Sequence, residues 1–223
     1  MYKFSYFTFL FIVVFSSYSQ AQLPTPSKKD SLINELCISL KGNEELADTS
    51  RIFIIYEDFF KPFLVKYPND KRELIATSLY YRAQRICPDF KFLLDRLSPP
   101  NEYRSIEKMP KQIIKSNECK TFRKITDFYY TEQNGDTVNL KITDDYWVDN
   151  FKNGTYSKLS IDWVSNCQFT ITFIESNNEL RSNFSYPGDE YNYTLIEKTK
   201  NYFEVVIEVV GTGQKELFKL FYK

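Results

Sequence analysis

Residues 158–175 alternate strictly. Leu159, Ile161 and Trp163 are separated by Ser160 and Asp162, and Cys167, Phe169, Ile171 and Phe173 by Gln168, Thr170 and Thr172. A period of two sends each set to one face of an extended segment, and Val164-Ser165-Asn166 between them has the length and polarity of a hairpin turn. The unit recurs through the second half of the chain. Strands are predicted over 122–131, 137–143, 145–151, 155–163, 167–175, 190–197, 202–210 and 215–222, with Asn134-Gly135-Asp136, Asn153-Gly154 and Gly211-Thr212-Gly213 among the turns. One connection, 176–189, is long. Eight strands joined in chain order by short turns favour an up-and-down meander, and closing it into a barrel removes the sheet edges. An open or two-layer sheet is the alternative.

The first half has a different period. Leu32, Ile33, Leu36, Cys37 and Leu40 share one face of a helix that starts near Asp30 and stops at Lys41-Gly42-Asn43. A second helical stretch over 44–60 carries Ile52, Ile55, Phe59 and Phe60, and Pro62 is expected to kink or end it. Asn69 or Asp70 caps a third, whose stripe of Ile75, Leu79, Ala83 and Ile86 ends at Cys87-Pro88. Phe90, Leu93, Leu94 and Leu97 suit a final short helix. The predicted fold class is α+β: a small N-terminal helical bundle over 22–97, a proline-bearing linker over 98–118, and a C-terminal eight-stranded antiparallel β domain over 119–223.

Residues 1–21 read as a secretory signal peptide. Lys3 precedes an apolar run over 4–15, and Ser19 and Ala21 form a small-x-small site. That run is shorter than the roughly 20 apolar residues of a spanning helix, so cleavage near Ala21 is expected to leave a periplasmic or secreted chain without a membrane span. All four cysteines, Cys37, Cys87, Cys119 and Cys167, lie beyond it, and an even count in an oxidising compartment suggests two disulfides. Zinc is the rival reading, but no histidine is present and the spacings match no zinc signature. Cys37 and Cys87 both fall on inward helical stripes and are paired on that ground. In a closed meander, turns alternate between two ends. Cys119 and Cys167 then lie opposite the 176–189 loop, where a bond between them straps the linker across one end and leaves the other open.

Composition removes whole classes of chemistry. With no histidine, Ser-His-Asp and Cys-His catalysis are excluded. Lys plus Arg and Asp plus Glu each total 29, so no single-sign field favours nucleic acid. Asp144, Asp145 and Asp149 are the nearest thing to a carboxylate pair, and alternation puts them on a solvated face. Asn153, Asn183 and Asn192 begin glycosylation sequons, which mean little if the source is bacterial. Neither a cofactor nor a metal is expected. The aromatic load is the positive sign: Trp163, Phe169, Phe173, Tyr191, Tyr193 and Phe203 should face inward and are the candidate ligand-binding residues, because a small barrel either fills with side chains or holds one small ligand.

Cys37, Cys-Pro-Asp-Phe at 87–90 and Cys-Lys-Thr-Phe at 119–122 resemble small exported proteins of Bacteroidota without assigned activity. Gly154-Thr-Tyr-Ser, Trp163, Asn166-Cys167 and the run from Phe173 to Asn178 are similar to the sheet half of such proteins. The resemblance implies no catalytic or binding residue. By architecture the sheet half looks lipocalin-like, although the Gly-x-Trp of many lipocalin first strands is missing. These readings point to an exported, non-catalytic binding protein for a small apolar or amphipathic ligand. The alternative is a cell-envelope module that docks another protein.

Overall fold

The computed structural model describes residues 23–98, 103–132 and 135–222; the expected signal segment lies outside them. Five α-helices come first: α1 (Pro26–Gly42), α2 (Asp48–Ile54), α3 (Lys61–Leu64), α4 (Asn69–Ile86) and α5 (Pro88–Leu97). α1 begins before its apolar stripe because the Thr25 side chain accepts from the Lys28 N–H and Pro26 fits a first turn that needs no donor. The second helical stretch starts at Asp48 rather than at residue 44. The break expected at Pro62 takes another form. Ile55–Phe60 widen into a π-helical turn in which the Lys61 N–H reaches the Tyr56 carbonyl. Proline offers no N–H to the α-helical ladder, and a widened turn just ahead of it absorbs the mismatch. Ile33, Leu36, Leu40, Ile75, Leu79 and Leu93 are buried together around the Cys37–Cys87 disulfide. Leu97, expected on the inward stripe, is 46% exposed.

The strands follow: β1 (Arg104–Ile106), β2 (Asp127–Thr131), β3 (Thr137–Ile142), β4 (Tyr146–Asn150), β5 (Tyr156–Trp163), β6 (Gln168–Ser176), β7 (Glu190–Lys198), β8 (Tyr202–Val209) and β9 (Lys215–Tyr222). β2 to β9 pair antiparallel in chain order, and β9 returns to β2. The meander is therefore a closed eight-stranded barrel rather than an open sheet. Phe122 does not open a strand: the first barrel strand starts at Asp127, and Ser116–Phe122 form a helix, α6. The linker also contributes β1, which pairs with the start of β9. No helix among the described residues is long and apolar enough to cross a membrane.

The two ends of the barrel differ. At one, the Cys119–Cys167 disulfide ties α6 to the start of β6 and drives Phe122 into the interior. Its ring lies 4.8 Å from Phe128, 5.0 Å from Phe203 and 5.8 Å from Phe169, centroid to centroid. Phe122 is a stopper made of the same material as the wall. At the other end the long connection folds into a helix, α7 (Glu179–Phe184), on which α4 packs. That end was expected to be open; it is covered. Arg82 donates to both Asp30 carboxylate oxygens at 2.9 Å and to Asp189, and its guanidinium lies 4.0 Å from the centre of the Tyr186 ring. The Arg85 Nε donates to the Tyr191 hydroxyl at 2.9 Å and sits 3.0 Å from Asp189.

Truncating a fully buried ring leaves a void that such a packed cluster fills only in part, so Phe122→Ala should destabilise the fold by about 3–5 kcal/mol. Ile38→Ala, at a 73% exposed site, should fall within about 0.5 kcal/mol. Urea unfolding of both variants checks the contrast, and equal effects would refute the stopper.

Candidate functional site

Under α7 the barrel is not filled. A cavity of about 110 Å³ remains at the end bearing the long connection. Alternation along each strand supplies its wall: Tyr130 from β2, Trp147 and Asp149 from β4, Ser157 and Leu159 from β5, Ile171 and Phe173 from β6, Tyr191 and Tyr193 from β7, Val209 from β8, and Phe218 from β9. Arg181 and Phe184 of α7 form part of the roof, and Tyr103, just ahead of β1, slides in from the side. The Tyr103 ring stacks on Phe218 at 4.9 Å and meets Tyr130 edge-on at 6.0 Å.

Asp149 departs most from expectation. Placed on a solvated face by sequence reasoning, it is 5% exposed and points inward with Trp147, whose indole N–H donates to it at 3.0 Å. Asp144 and Asp145 are exposed, so the three acids do not converge. Arg181 faces Asp149 across the cavity without forming an ion pair with it. Its Nη2 donates to Glu132 at 2.7 Å and to the Tyr130 hydroxyl at 3.1 Å, while its Nε is buried without a hydrogen-bond partner among the described residues. The Tyr191 hydroxyl is satisfied by Arg85 and by Ser185, 2.5 Å away. Burial in low dielectric raises the pKa values of the tyrosines lining the cavity, and those of Tyr103, Tyr130 and Tyr193 lie well above the ordinary value.

A second chamber of about 370 Å³ lies between the helices and the barrel, bounded by Tyr80, Tyr81 and Gln84 of α4, Lys91 of α5, and Leu180 of α7. It shares Tyr103, Arg181, Phe184 and Glu216 with the inner cavity, so these four side chains form the partition between them. Lys91, itself buried, donates to Asp95 at 2.6 Å and lies 3.7 Å from Glu216.

Of the six aromatic residues proposed from sequence, Phe173, Tyr191 and Tyr193 line the inner cavity. Trp163, Phe169 and Phe203 instead belong to the ring cluster around Phe122. All four cysteines are in the two expected disulfides. Cys37, Cys87 and Asp89 come together, but the sulfurs are joined to each other and have no thiolate to give a metal. Arg181, Tyr103, Tyr130 and Ser157 were missed. A signal for Arg181 existed: Asn178 caps α7 by accepting the Arg181 N–H at 3.2 Å, and Asn-Glu at 178–179 is an ordinary helix start.

In comparisons with known proteins, no family model, no curated protein and no solved structure matches this chain.

Burial lifts the Asp149 pKa from 3.8 to about 6, a rise that Arg181 and the hydrogen bonds from Trp147 and Tyr130 partly oppose. Because the folded-state value lies above the unfolded one, the native state holds the extra proton, and this group's contribution to stability declines as pH rises through about 4 to 6. Asp149→Asn removes the titration and keeps an acceptor for Trp147. Its stability relative to the parent should therefore increase by up to about 3 kcal/mol between about pH 4 and pH 7.5. Urea unfolding of both proteins across that range measures the difference, and a flat line would mean that the carboxyl group is hydrated.

Proposed function

We propose that this chain is an exported, non-catalytic binding protein whose lipocalin-like barrel holds a small amphipathic ligand in the cavity beneath α7. The observation that carries the reading is the cavity itself: a wall largely of rings and aliphatic side chains that also bears buried Asp149 and Ser157, and Arg181, whose Nε has no hydrogen-bond partner among the described residues. Buried polar groups demand partners, and water or a ligand supplies them. The size suits a compact molecule, since a dry cavity of about 150 Å³ accepts benzene. The larger chamber beside α4 offers an approach, with Phe184 and Arg181 at the partition. Two disulfides support residence in an oxidising compartment.

Docking of another envelope protein is the second reading. It is favoured by Phe53 and Tyr56, one helical turn apart and 65% and 53% exposed.

Ser157 is buried in the wall, and leucine there would occupy much of the cavity. Native mass spectrometry of the chain purified from its producing host should show a small-molecule adduct in the parent and none in Ser157→Leu. The variant should fold with a stability loss of about 1–3 kcal/mol, as expected for overpacking. An unliganded parent whose melting temperature is unmoved by a library of small amphiphiles would defeat the reading.

A further inference from the structure

We propose that the ligand of the inner cavity is a small organic ammonium ion, held with its charge against the Asp149 carboxylate and its carbon skeleton among the rings of Tyr103, Trp147 and Tyr193. This deepens the ligand-binding reading and rests on it. Three observations converge.

The first is the state of the carboxylate. Among the described residues no lysine or arginine lies within 4.0 Å of Asp149, and its side-chain hydrogen bonds come from neutral groups, the Trp147 indole and the Tyr130 hydroxyl. Arg181 acts on the carboxylate only from a distance, and a buried carboxylate with no cation in contact gains from one brought beside it.

The second is the balance of charge around it. The basic groups that line the two chambers are already engaged: Arg181 with Glu132, and Lys91 with Asp95 and Glu216. Two cations therefore face four carboxylates once Asp149 is included. The neighbouring network of Arg82 and Arg85 with Asp30 and Asp189 is closed on itself. The cavity lacks positive charge, not negative.

The third is the wall. Aromatic faces attract cations through their quadrupoles, more so where water is excluded. Trp147 and Tyr193, with ring centres 5.0 Å apart, stand beside the carboxylate, and Tyr103 approaches from the other side. A carboxylate among aromatic faces beneath α7 is complementary to an alkylammonium. The volume limits the skeleton to about five or six heavy atoms by comparison with benzene.

Isobutylammonium, isobutanol and isobutyrate share a branched skeleton and differ in charge, so they separate the possibilities. NMR titration of the full chain at pH 7.5 should show isobutylammonium binding at least about tenfold more tightly than isobutanol, and isobutyrate most weakly. Asp149→Asn should erase the preference for the cation while isobutanol still binds. At pH 5, where a carboxyl with a pKa of about 6 is about one-tenth ionised, the parent's affinity for the cation should fall roughly tenfold. The groups that face Asp149 are Tyr130 and Glu132 at the end of β2, Trp147 on β4, Tyr193 on β7, Glu216 on β9, Arg181 on α7 and Tyr103.

Equal binding of amine and alcohol would overturn the inference and leave the ligand cavity standing. A preference for isobutyrate would overturn it by making Arg181 the anchor. Failure of all three probes, together with no effect of Ser157→Leu on any adduct, would remove the binding reading itself.

Discussion

Everything in the interior depends on how the barrel closes. β2 meets β9 over only two residue pairs, Phe128 with Tyr222 and Tyr129 with Phe221, whereas β8 and β9 share seven. The start of that edge of β9 is taken by β1, which pairs Arg104 with Leu217 and Ile106 with Lys215. The seam is thus shared by two strands that enter from different parts of the chain. Where they diverge, the Tyr103 ring fills the gap against Phe218 and Tyr130. A wall completed in this way is hydrogen-bonded at both ends of β9 and aromatic between them. The cavity sits behind that part of the wall, which explains why a residue outside the meander belongs to its lining.

The two covers act on this frame by different physics. At the α6 end the closure is apolar and covalent: one disulfide and one ring set among rings, with no polar atom of Phe122 to satisfy. At the α7 end it is ionic. Arg82 and Arg85 leave water to meet Asp189, Asp30 and Tyr191, and the desolvation of such groups offsets much of their mutual attraction. A cover of this kind adds less to net stability than to geometry, because guanidinium forks accept few arrangements of their carboxylates. It fixes the loop that bears α7, and with it Arg181 and Phe184. The helical part therefore serves the barrel by holding the roof in register, beyond burying its own core.

How much of this could be read in the chain follows from what alternation measures. A period of two reports which face a residue occupies when one face is apolar, so the barrel strands, their order and the inward rings of β5 to β8 were legible. The cysteines could be paired once the helical stripes and the two ends were assigned. Phe122 was misread because its ring extends the apolar pattern of Phe128 and Tyr130. The run Ser-Asn-Glu-Cys-Lys before it contains the cap, Glu118 accepting from the Lys115 N–H, that makes it a helix instead. Asp149 was misread for a deeper reason. A carboxylate in an alternating strand is nearly always on the wet face, and what turns this one inward is supplied by Trp147 beside it and by Tyr130 and Arg181 from distant segments. β1 was invisible because three residues carry no usable period.

A polar group kept at the centre of an apolar wall has to be explained by something other than stability. Asp149 at the end of β4 could be replaced, as far as packing is concerned, by a branched apolar side chain that needs no hydrogen bond and loses nothing on leaving water. The ring contacts of Phe122 and its neighbours show what this chain does when the interior is meant to be filled. Beneath α7 the same strands place serine, tyrosine hydroxyls and a carboxylate around a space that remains empty of side chains. The two halves of one barrel were built under opposite requirements, and the polar half is the one over which α4 holds a roof.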